Sequence, residues 1–89
     1  MNAIIAVIGQ DKTGILAKIS TVCAENNANI IDVTQTVMQK YFTMIMLVDI
    51  TDLSSSFGEF SERVHAAGKE IEMTVHVMHE DIFNSMHRV

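Results

Sequence analysis

Four segments of the chain have strand patterns, and the difference between them constrains the fold more than any other feature. Residues 3–8 and 41–50 place apolar side chains on both faces, which is typical of strands in the interior of a sheet. Residues 30–38 and 70–78 alternate apolar and polar side chains, which is typical of half-exposed strands. The short polar step at residues 39–40 predicts a hairpin between the second and third strands.

Helical spacing fills the long gaps between these strands. Apolar residues recur every three to four positions over residues 14–26, and Thr13 is a candidate N-cap for this helix. The asparagine-rich segment 26–29 should end it, because Asn tolerates left-handed backbone and bonds its own main chain. Ser56 and Glu59 have the spacing of a capping box, so they predict the start of a second helix.

The remaining elements complete a recognisable order. Gly68 is expected to end the second helix as its C′ residue, and residues 80–86 show helical spacing after the last strand. The order strand, helix, strand, strand, helix, strand is that of the split βαβ, or ferredoxin-like, plait. We therefore predict a single α+β domain over residues 1–89. It would have a four-stranded antiparallel sheet with the first and third strands central, two helices on one face and a short C-terminal helix.

Charge and composition exclude several classes of function. The formal net charge is −5, and the 6 Lys and Arg residues are dispersed, which argues against binding to nucleic acid or to an anionic membrane surface. The single Cys23 forms no internal disulfide, so a reduced, intracellular protein is expected. The first residues have no basic segment before the strand pattern, and no membrane span is present, which predicts a cytoplasmic location.

The apolar content suggests that part of the surface is covered by a second copy. Apolar residues make up 48% of this short chain, whereas a domain of this size buries only about 60% of its unfolded surface. The predicted edge strand 30–38 lacks proline, and an unprotected edge invites pairing. We therefore expect a homodimer, joined either into one continuous sheet or face to face.

The loop at residues 11–14 has the chemistry of a small-molecule site. It joins the first strand to the first helix, where unpaired N–H groups and the positive end of the helix dipole attract anionic groups. The carboxylate of Asp11 could hold a cation beside that anion. Together these features suit a zwitterion such as a free amino acid. A plain tight turn with a solubilising Asp11 is the alternative.

Other chemistries find less support. His76 and His79 are three residues apart, so in a strand they point to opposite faces, and His87 lies further on. No cysteine pair or second acidic cluster completes a set of four metal ligands, so surface histidines are the better interpretation. No serine or cysteine has a histidine and a carboxylate at a recognisable spacing. We therefore expect neither an enzyme nor a metal or other cofactor, and a weak surface metal site formed by the histidines near the C-terminus is the alternative.

Several motifs in the chain resemble one known family. Residues 6–16 (AVIGQDKTGIL), followed by Asn29 and Ile30 at the start of the second strand, resemble an ACT domain. Residues 41–44 (YFTM) and 79–83 (HEDIF) are similar, more narrowly, to the stand-alone single-ACT proteins of bacteria and archaea. The resemblance covers essentially the whole chain. It implies a small βαββαβ module that binds amino acids and regulates metabolic enzymes or transcription.

The resemblance also implies a site and a mode of action. In ACT domains the ligand lies between two copies, between the first strand-to-helix loop and the start of the second strand. No catalytic domain is attached here, so a signal would pass to a separate partner protein. The alternative is an interaction module of the same fold whose loop binds nothing. The residues that the resemblance implies in ligand binding are Asp11, Lys12, Thr13, Gly14, Ile15, Asn29 and Ile30.

Overall fold

The computed structural model describes residues 1–86. Within that range the element order is the one that the sequence predicts. No helix in the described part of the chain is long and apolar enough to cross a membrane. The elements are β1 (Asn2–Gln10), α1 (Ile15–Glu25), β2 (Asn29–Met38), β3 (Tyr41–Asp49), α2 (Phe57–Glu70), β4 (Thr74–His79) and α3 (Glu80–Met86).

The strands form one antiparallel sheet in the order β2-β3-β1-β4. The two segments with apolar side chains on both faces are therefore the central strands, and the alternating segments are the edges, as predicted. The ends of the sheet are defined by two register pairs. Gln10 pairs with Tyr41 at one end, and Asn29 pairs with Asp49 at the other. This register determines which loops can meet.

Helices α1 and α2 pack on the same face of the sheet, which confirms the ferredoxin-like plait. Buried side chains of both helices join those of the strands in a single cluster. Cys23 of α1 belongs to it, and burial raises the pKa of its thiol to about 11, so the thiol stays protonated at neutral pH. The largest fully buried side chains are Phe60, Ile5, Ile19, Met44, Met46, Val7, Val48, Val64 and Cys23.

The other face of the sheet is more open than the sequence predicts. We expected the central strands to be buried on both faces. Ile8 of β1 and Ile45 of β3 are instead 44% and 36% exposed, whereas Ile4 on the same face is buried. The prediction fails because both long helices lie on the opposite face. Coverage of this open face by a second copy stays a prediction.

The two ends of α1 differ in how well the sequence predicts them. Thr13 is not the N-cap; Gly14 is, with φ 88 and ψ 9, and no side chain caps the helix. At the other end Asn27 adopts a left-handed φ of 60°, which confirms the predicted break. Asn26 is buried there, and its side-chain amide donates to the carbonyl of Val22 at 2.8 Å.

Helix α2 begins as predicted but ends later. The hydroxyl of Ser56 accepts a hydrogen bond from the backbone N–H of Glu59, and the Glu59 carboxylate accepts from the backbone N–H of Ser56, which completes the capping box. Gly68 is not the C′ residue, because the helix continues to Glu70 and Ile71 caps it. A Cβ on Gly68 would lie 2.2 Å from Cγ2 of Val75, so this glycine allows the helix to approach β4 closely.

Two edge-strand details differ from the sequence pattern. Strand β4 begins at Thr74 rather than at residue 70, because Glu72 adopts a left-handed φ of 58°. Strand β2 has a register shift between Ile30 and Asp32. The extra residue, Ile31, was predicted to share the face of Val33, but it is 49% exposed, and Ile30 packs against the core instead. A bulge of this kind inverts the alternation on its two sides.

Candidate functional site

The backbone of the loop at residues 11–14 is held at its start and open at its end. The N–H of Asp11 donates to the carbonyl of Lys40 at 2.7 Å, so the loop is tied to the β2–β3 hairpin. Gly14 needs its left-handed φ of 88°, yet no atom lies within 4 Å of where its Cβ would be. Glycine is therefore required by the backbone conformation here and not by crowding within the chain.

The amide groups that open α1 are available for a ligand. Residues 15–17 are the first of the helix, so they have no intrahelical acceptor, and no side chain caps them. The first backbone bond of the helix joins the N–H of Lys18 to the carbonyl of Gly14 at 3.0 Å. These free donors lie at the positive end of the helix dipole, which suits a carboxylate.

The side chains of the loop have different roles. Asp11 and Thr13 are exposed, and their side chains form no hydrogen bond or ion pair with other residues of the described chain. Lys12 lies 3.8 Å from a carboxylate oxygen of Glu72, so its ammonium is shared with the turn before β4. Ile15 is 3% exposed and belongs to the core, so its side chain packs inside the domain and does not contact a ligand.

The start of β2 lines a cavity of its own. Asn29 is exposed and Ile30 is half-buried, and both border a cavity of about 390 Å³ between the end of α1 and this strand. No charged side chain lines it, and no residue of the loop at 11–14 reaches it. The other lining residues are Ser20, Cys23, Ala24, Asn27 and Ala28.

The structure does not bring the two halves of the implied site together within one chain. The loop follows Gln10, which pairs with Tyr41, whereas Asn29 pairs with Asp49 at the far end of β3. Eight strand residues therefore separate the two halves, a distance of roughly 26 Å at about 3.3 Å per residue. A small ligand cannot span that distance.

Several neighbours of the site were missed by the sequence analysis. Ser20 and Asn27 line the same cavity as Asn29. Ser20 precedes the buried Cys23 by three residues, and this helical spacing could have placed the two on adjacent parts of α1. Lys40 and Glu72, which hold the loop, are distant in sequence, so no local pattern reveals them.

The histidines lie as the strand alternation predicts. His76 pairs with Ala6 on the open face, whereas His79 lies on the helix side, where its ring stacks on Phe57 at 4.1 Å. Residues 1–86 contain no group of three or more metal-ligating side chains. His87 lies outside the described residues.

Comparison with known proteins assigns the fold to a family. The model of the ACT domain family matches residues 2–78. The chain belongs to the ACT domain family. ACT domains are regulatory modules that generally bind amino acids, and the strand order and the loop before α1 of this ACT domain agree with that assignment.

Relatives of this ACT domain protein occur in archaea and bacteria. It is 52% identical over 88 residues to the UPF0237 protein of Methanocaldococcus jannaschii, covering 99% of this chain and 98% of that one. It is 43% identical over 89 residues to the UPF0237 protein of Listeria innocua, covering 100% of each. The solved ACT domain protein from Streptococcus pneumoniae superposes with a TM-score of 0.80 at 37% identity, over 93% of each chain.

Proposed function

We propose that this ACT domain protein is a cytoplasmic homodimer that binds a small amino acid or related metabolite and regulates a separate partner protein. The observation that carries the proposal is the separation of the two halves of the site. Asp11 is tied to Lys40 at one end of the sheet, and Asn29 lies at the other end. A ligand that contacts both halves therefore needs a second copy.

Antiparallel association along β2 would supply that copy. Strand β2 is an edge of the sheet, and it runs from Asn29 to Met38 at the hairpin end. When two such edges pair antiparallel, the start of one strand lies beside the hairpin of the other. The loop that begins at Asp11 is bonded to that hairpin. Each dimer would therefore contain two equivalent sites, each built from both copies.

The groups at these two ends suit an amino acid. The open amides at the start of α1 would donate hydrogen bonds to the ligand carboxylate, and Asp11 would hold its ammonium group. The side-chain amide of Asn29 offers both a donor and an acceptor. After the cost of association we expect a binding free energy of about −4 to −7 kcal/mol, which corresponds to dissociation constants from about 1 mM to about 10 μM. This range suits a sensor of metabolite pools.

The signal would pass to a separate protein. The chain matches the Methanocaldococcus relative over 98% of that protein's length, and the residues that the structure describes form the ACT fold. An ordered ligand at the junction of two copies would change the surface that the dimer presents. The regulated partner would respond to ligand binding through this change of surface.

Calorimetry with the twenty amino acids tests the proposal. We expect at least one to bind, and we expect Asp11→Ala and Asn29→Ala each to weaken its affinity by about tenfold, the loss of one charge-assisted hydrogen bond. Both side chains are exposed, so thermal unfolding should be unchanged. Glu62→Ala is the matched control, because Glu62 is exposed on α2 and its side chain forms no hydrogen bond or ion pair with another residue among 1–86.

The result that overturns the proposal is equally specific. If all twenty titrations release no heat and none shifts the melting temperature while the protein still sediments as a dimer, the chain is an interaction module without a ligand. If Glu62→Ala weakens binding as much as Asp11→Ala, the loss is one of general charge and not of the loop.

A further inference from the structure

The cavity that Asn29 borders lies at the opposite end of α1 from the loop at residues 11–14, and its electrostatic character is also opposite. The last carbonyl groups of a helix carry the negative end of its dipole, which disfavours an anion. The last turn of α1 has no basic side chain, and none of the described residues that line the cavity is charged. Cys23 in the cavity wall stays protonated, because burial raises the pKa of its thiol to about 11. A carboxylate in this cavity would therefore meet no cation.

Two polar side chains in the cavity wall leave acceptors available. The hydroxyl of Ser20 donates to the carbonyl of Ala17 at 3.2 Å. The side-chain N–H of Asn27 donates to the carbonyl of Asp52 at 2.8 Å. Each of these side chains thus directs a donor to the backbone and keeps an oxygen that can accept a further hydrogen bond. An N–H group of a ligand can use these oxygens, whereas a carboxylate has no hydrogen to donate to them.

Asn29 supplies the complementary donor. Its side chain is exposed and forms no hydrogen bond with another residue of the described chain, so its amide N–H can donate to a ligand. Asn27 and Asn29 are two residues apart, so their Cα atoms are at most about 7 Å apart and one planar group can contact both. Ser20 precedes Asn27 by seven residues, about two turns of helix, so it would contact a different part of the ligand. A group that pairs with both asparagines needs a donor and an acceptor side by side.

We propose that this cavity binds a carboxamide, so that the ligand of the proposed function is an amino acid with an amide side chain, of the glutamine and asparagine class. The ligand amide would donate from its nitrogen to Oδ1 of Asn27 and accept at its oxygen from Nδ2 of Asn29. The α-carboxylate of the ligand would bind at the start of α1 of the second copy. The positive and negative ends of two α1 helices would then select the two ends of one ligand. The inference rests on the proposed function and adds the class of ligand.

Other ligand side chains satisfy the cavity less completely. Glutamate and aspartate have the shape of the two amides but would place an acceptor against the Asn27 oxygen. A hydroxyl, as in serine, would have to serve both asparagines through a single oxygen. An ammonium, as in lysine, would leave the Asn29 donor without an acceptor, and no carboxylate lines the cavity among the described residues to pair with it. An apolar side chain would leave both asparagines without a bond to the ligand.

Calorimetry with matched ligands tests the inference. Glutamine and glutamate, like asparagine and aspartate, have nearly the same shape, so each pair isolates the side-chain amide. We expect the amide to bind at least about tenfold more tightly than the acid, the effect of one hydrogen bond gained. Equal binding of amide and acid, or a preference for serine, lysine or leucine, overturns the inference and leaves the proposed function in place. If none of the twenty amino acids binds, both fail.

Two variants separate the roles of the asparagines. Asn27→Gly tolerates the left-handed φ of 60° and removes the acceptor, so it should weaken glutamine binding about tenfold and leave glutamate binding nearly unchanged. Asn29→Ala removes a donor that both ligands can use, so both should weaken and the ratio of their affinities should persist. The matched control is Asn84→Ala, which removes an exposed amide from α3, a helix that contacts β1 and β4. If Asn27→Gly weakens both ligands equally, Asn27 does not distinguish the amide from the acid.

Thiol labelling locates the ligand without relying on affinities. Ala24 lines the cavity and is exposed, so Ala24→Cys should react readily with a thiol reagent. The native Cys23 does not compete, because it is buried and its pKa is raised to about 11. Saturating glutamine should slow the labelling of Ala24→Cys at least about tenfold and leave that of the α2 control Glu62→Cys unchanged. Unchanged labelling of Ala24→Cys at saturation would place the ligand outside the cavity and reject the inference, while the measured heat of binding would still support the proposed function.

Discussion

The two long helices begin in opposite ways, although each follows a central strand. Helix α2 begins with a closed capping box, in which Ser56 and Glu59 satisfy one another's backbone donors. Helix α1 begins at a left-handed Gly14 with no side-chain cap. A single side chain could have capped α1 in the way that Ser56 caps α2. Of these two starts, the one of α1 keeps its backbone donors open, and it is the one that the proposed ligand would use.

The difference extends along both helices. Helix α2 lies close to β4 because Gly68 removes the Cβ that would meet Val75. Helix α1 ends at Glu25, and Asn27, just after it, lines the same cavity as Asn29, so both ends of the helix adjoin parts of the proposed site. We therefore treat α2 as the structural half of the helical layer and α1 as the half that serves the ligand. The following substitutions test this division, from the largest expected effect to the smallest.

Gly68→Ala should have the largest effect on stability. Its Cβ would lie 2.2 Å from Cγ2 of Val75 and 3.4 Å from the carbonyl oxygen of Met73, so α2 or β4 must shift. We expect the free energy of unfolding to fall by about 2–3 kcal/mol, as for overpacked cores. Denaturant unfolding measures the change. The control is Gly58→Ala, also in α2, where nothing lies within 4 Å and Ala should stabilise by up to about 1 kcal/mol.

The role of Gly68 could not be predicted from the sequence alone. A glycine near the end of a helical pattern fits a C′ residue and fits a close approach equally well, and only the position of Val75 decides. The N-cap of α1 was ambiguous in a similar way, because either Thr13 or Gly14 could precede the first turn of the helix. Local patterns predict an element reliably when its partners are local, as in the capping box at Ser56.

The sheet was predictable and the register of β2 was not. The apolar side chains on both faces of residues 3–8 and 41–50 required central positions, and the strand order agrees. The bulge at Ile31 inserts one residue, and a single insertion inverts every side chain before or after it. The loop at residues 11–14 was predicted from its own chemistry, whereas Asn29 and Ile30 were implied by the resemblance alone. The two halves of the site were found to lie at opposite ends of the sheet only when the pairing of Asn29 with Asp49 was known.

Gly14→Ala should have the second largest effect on stability. A φ of 88° is strained for any residue with a Cβ, and the cost is about 1–2 kcal/mol. Gly14→Asn should cost less, because Asn adopts left-handed backbone more readily. Unfolding measures the cost, and calorimetry measures whether the amides behind Gly14 still bind the ligand. Equal stability of the glycine and alanine proteins would show that the loop relaxes to an ordinary conformation.

Removing the cap of α2 should reduce the free energy of unfolding more than removing the Thr13 hydroxyl before α1. Ser56→Ala deletes the acceptor for the backbone N–H of Glu59, at 3.1 Å, and should reduce the free energy of unfolding by about 1 kcal/mol. Thr13→Ala should leave stability within about 0.5 kcal/mol, because Thr13 is exposed and caps nothing. A cost for Thr13→Ala equal to that for Ser56→Ala would mean that both helices are capped, and the division between them would fail.

The capping box should also be visible in the pH dependence of stability, as the smallest effect. The hydroxyl of Ser56, then its backbone N–H and finally Arg63, hold the pKa of the Glu59 carboxyl below its usual value of 4.5. A pKa that is lower in the folded chain than in the unfolded one stabilises the fold above about pH 4.5, and this contribution is lost as the pH falls through the folded value. Glu59→Gln should therefore flatten the decline of the denaturation midpoint below about pH 4.5.

Part of the decline of the denaturation midpoint at low pH should persist in Glu59→Gln. The hydroxyl and backbone N–H of Thr51 lower the pKa of Asp49 in the same direction, so Asp49 also loses its contribution on acidification. Ser56→Ala should flatten the profile as Glu59→Gln does, since it removes the bond that lowers the Glu59 pKa most. The start of α1 has no comparable carboxylate–hydroxyl pair among the described residues, so the flattening in these two variants reports the start of α2. A profile that Glu59→Gln flattens and Ser56→Ala leaves unchanged would show that the hydroxyl of Ser56 does not lower the Glu59 pKa, and the capping box would not be the cause.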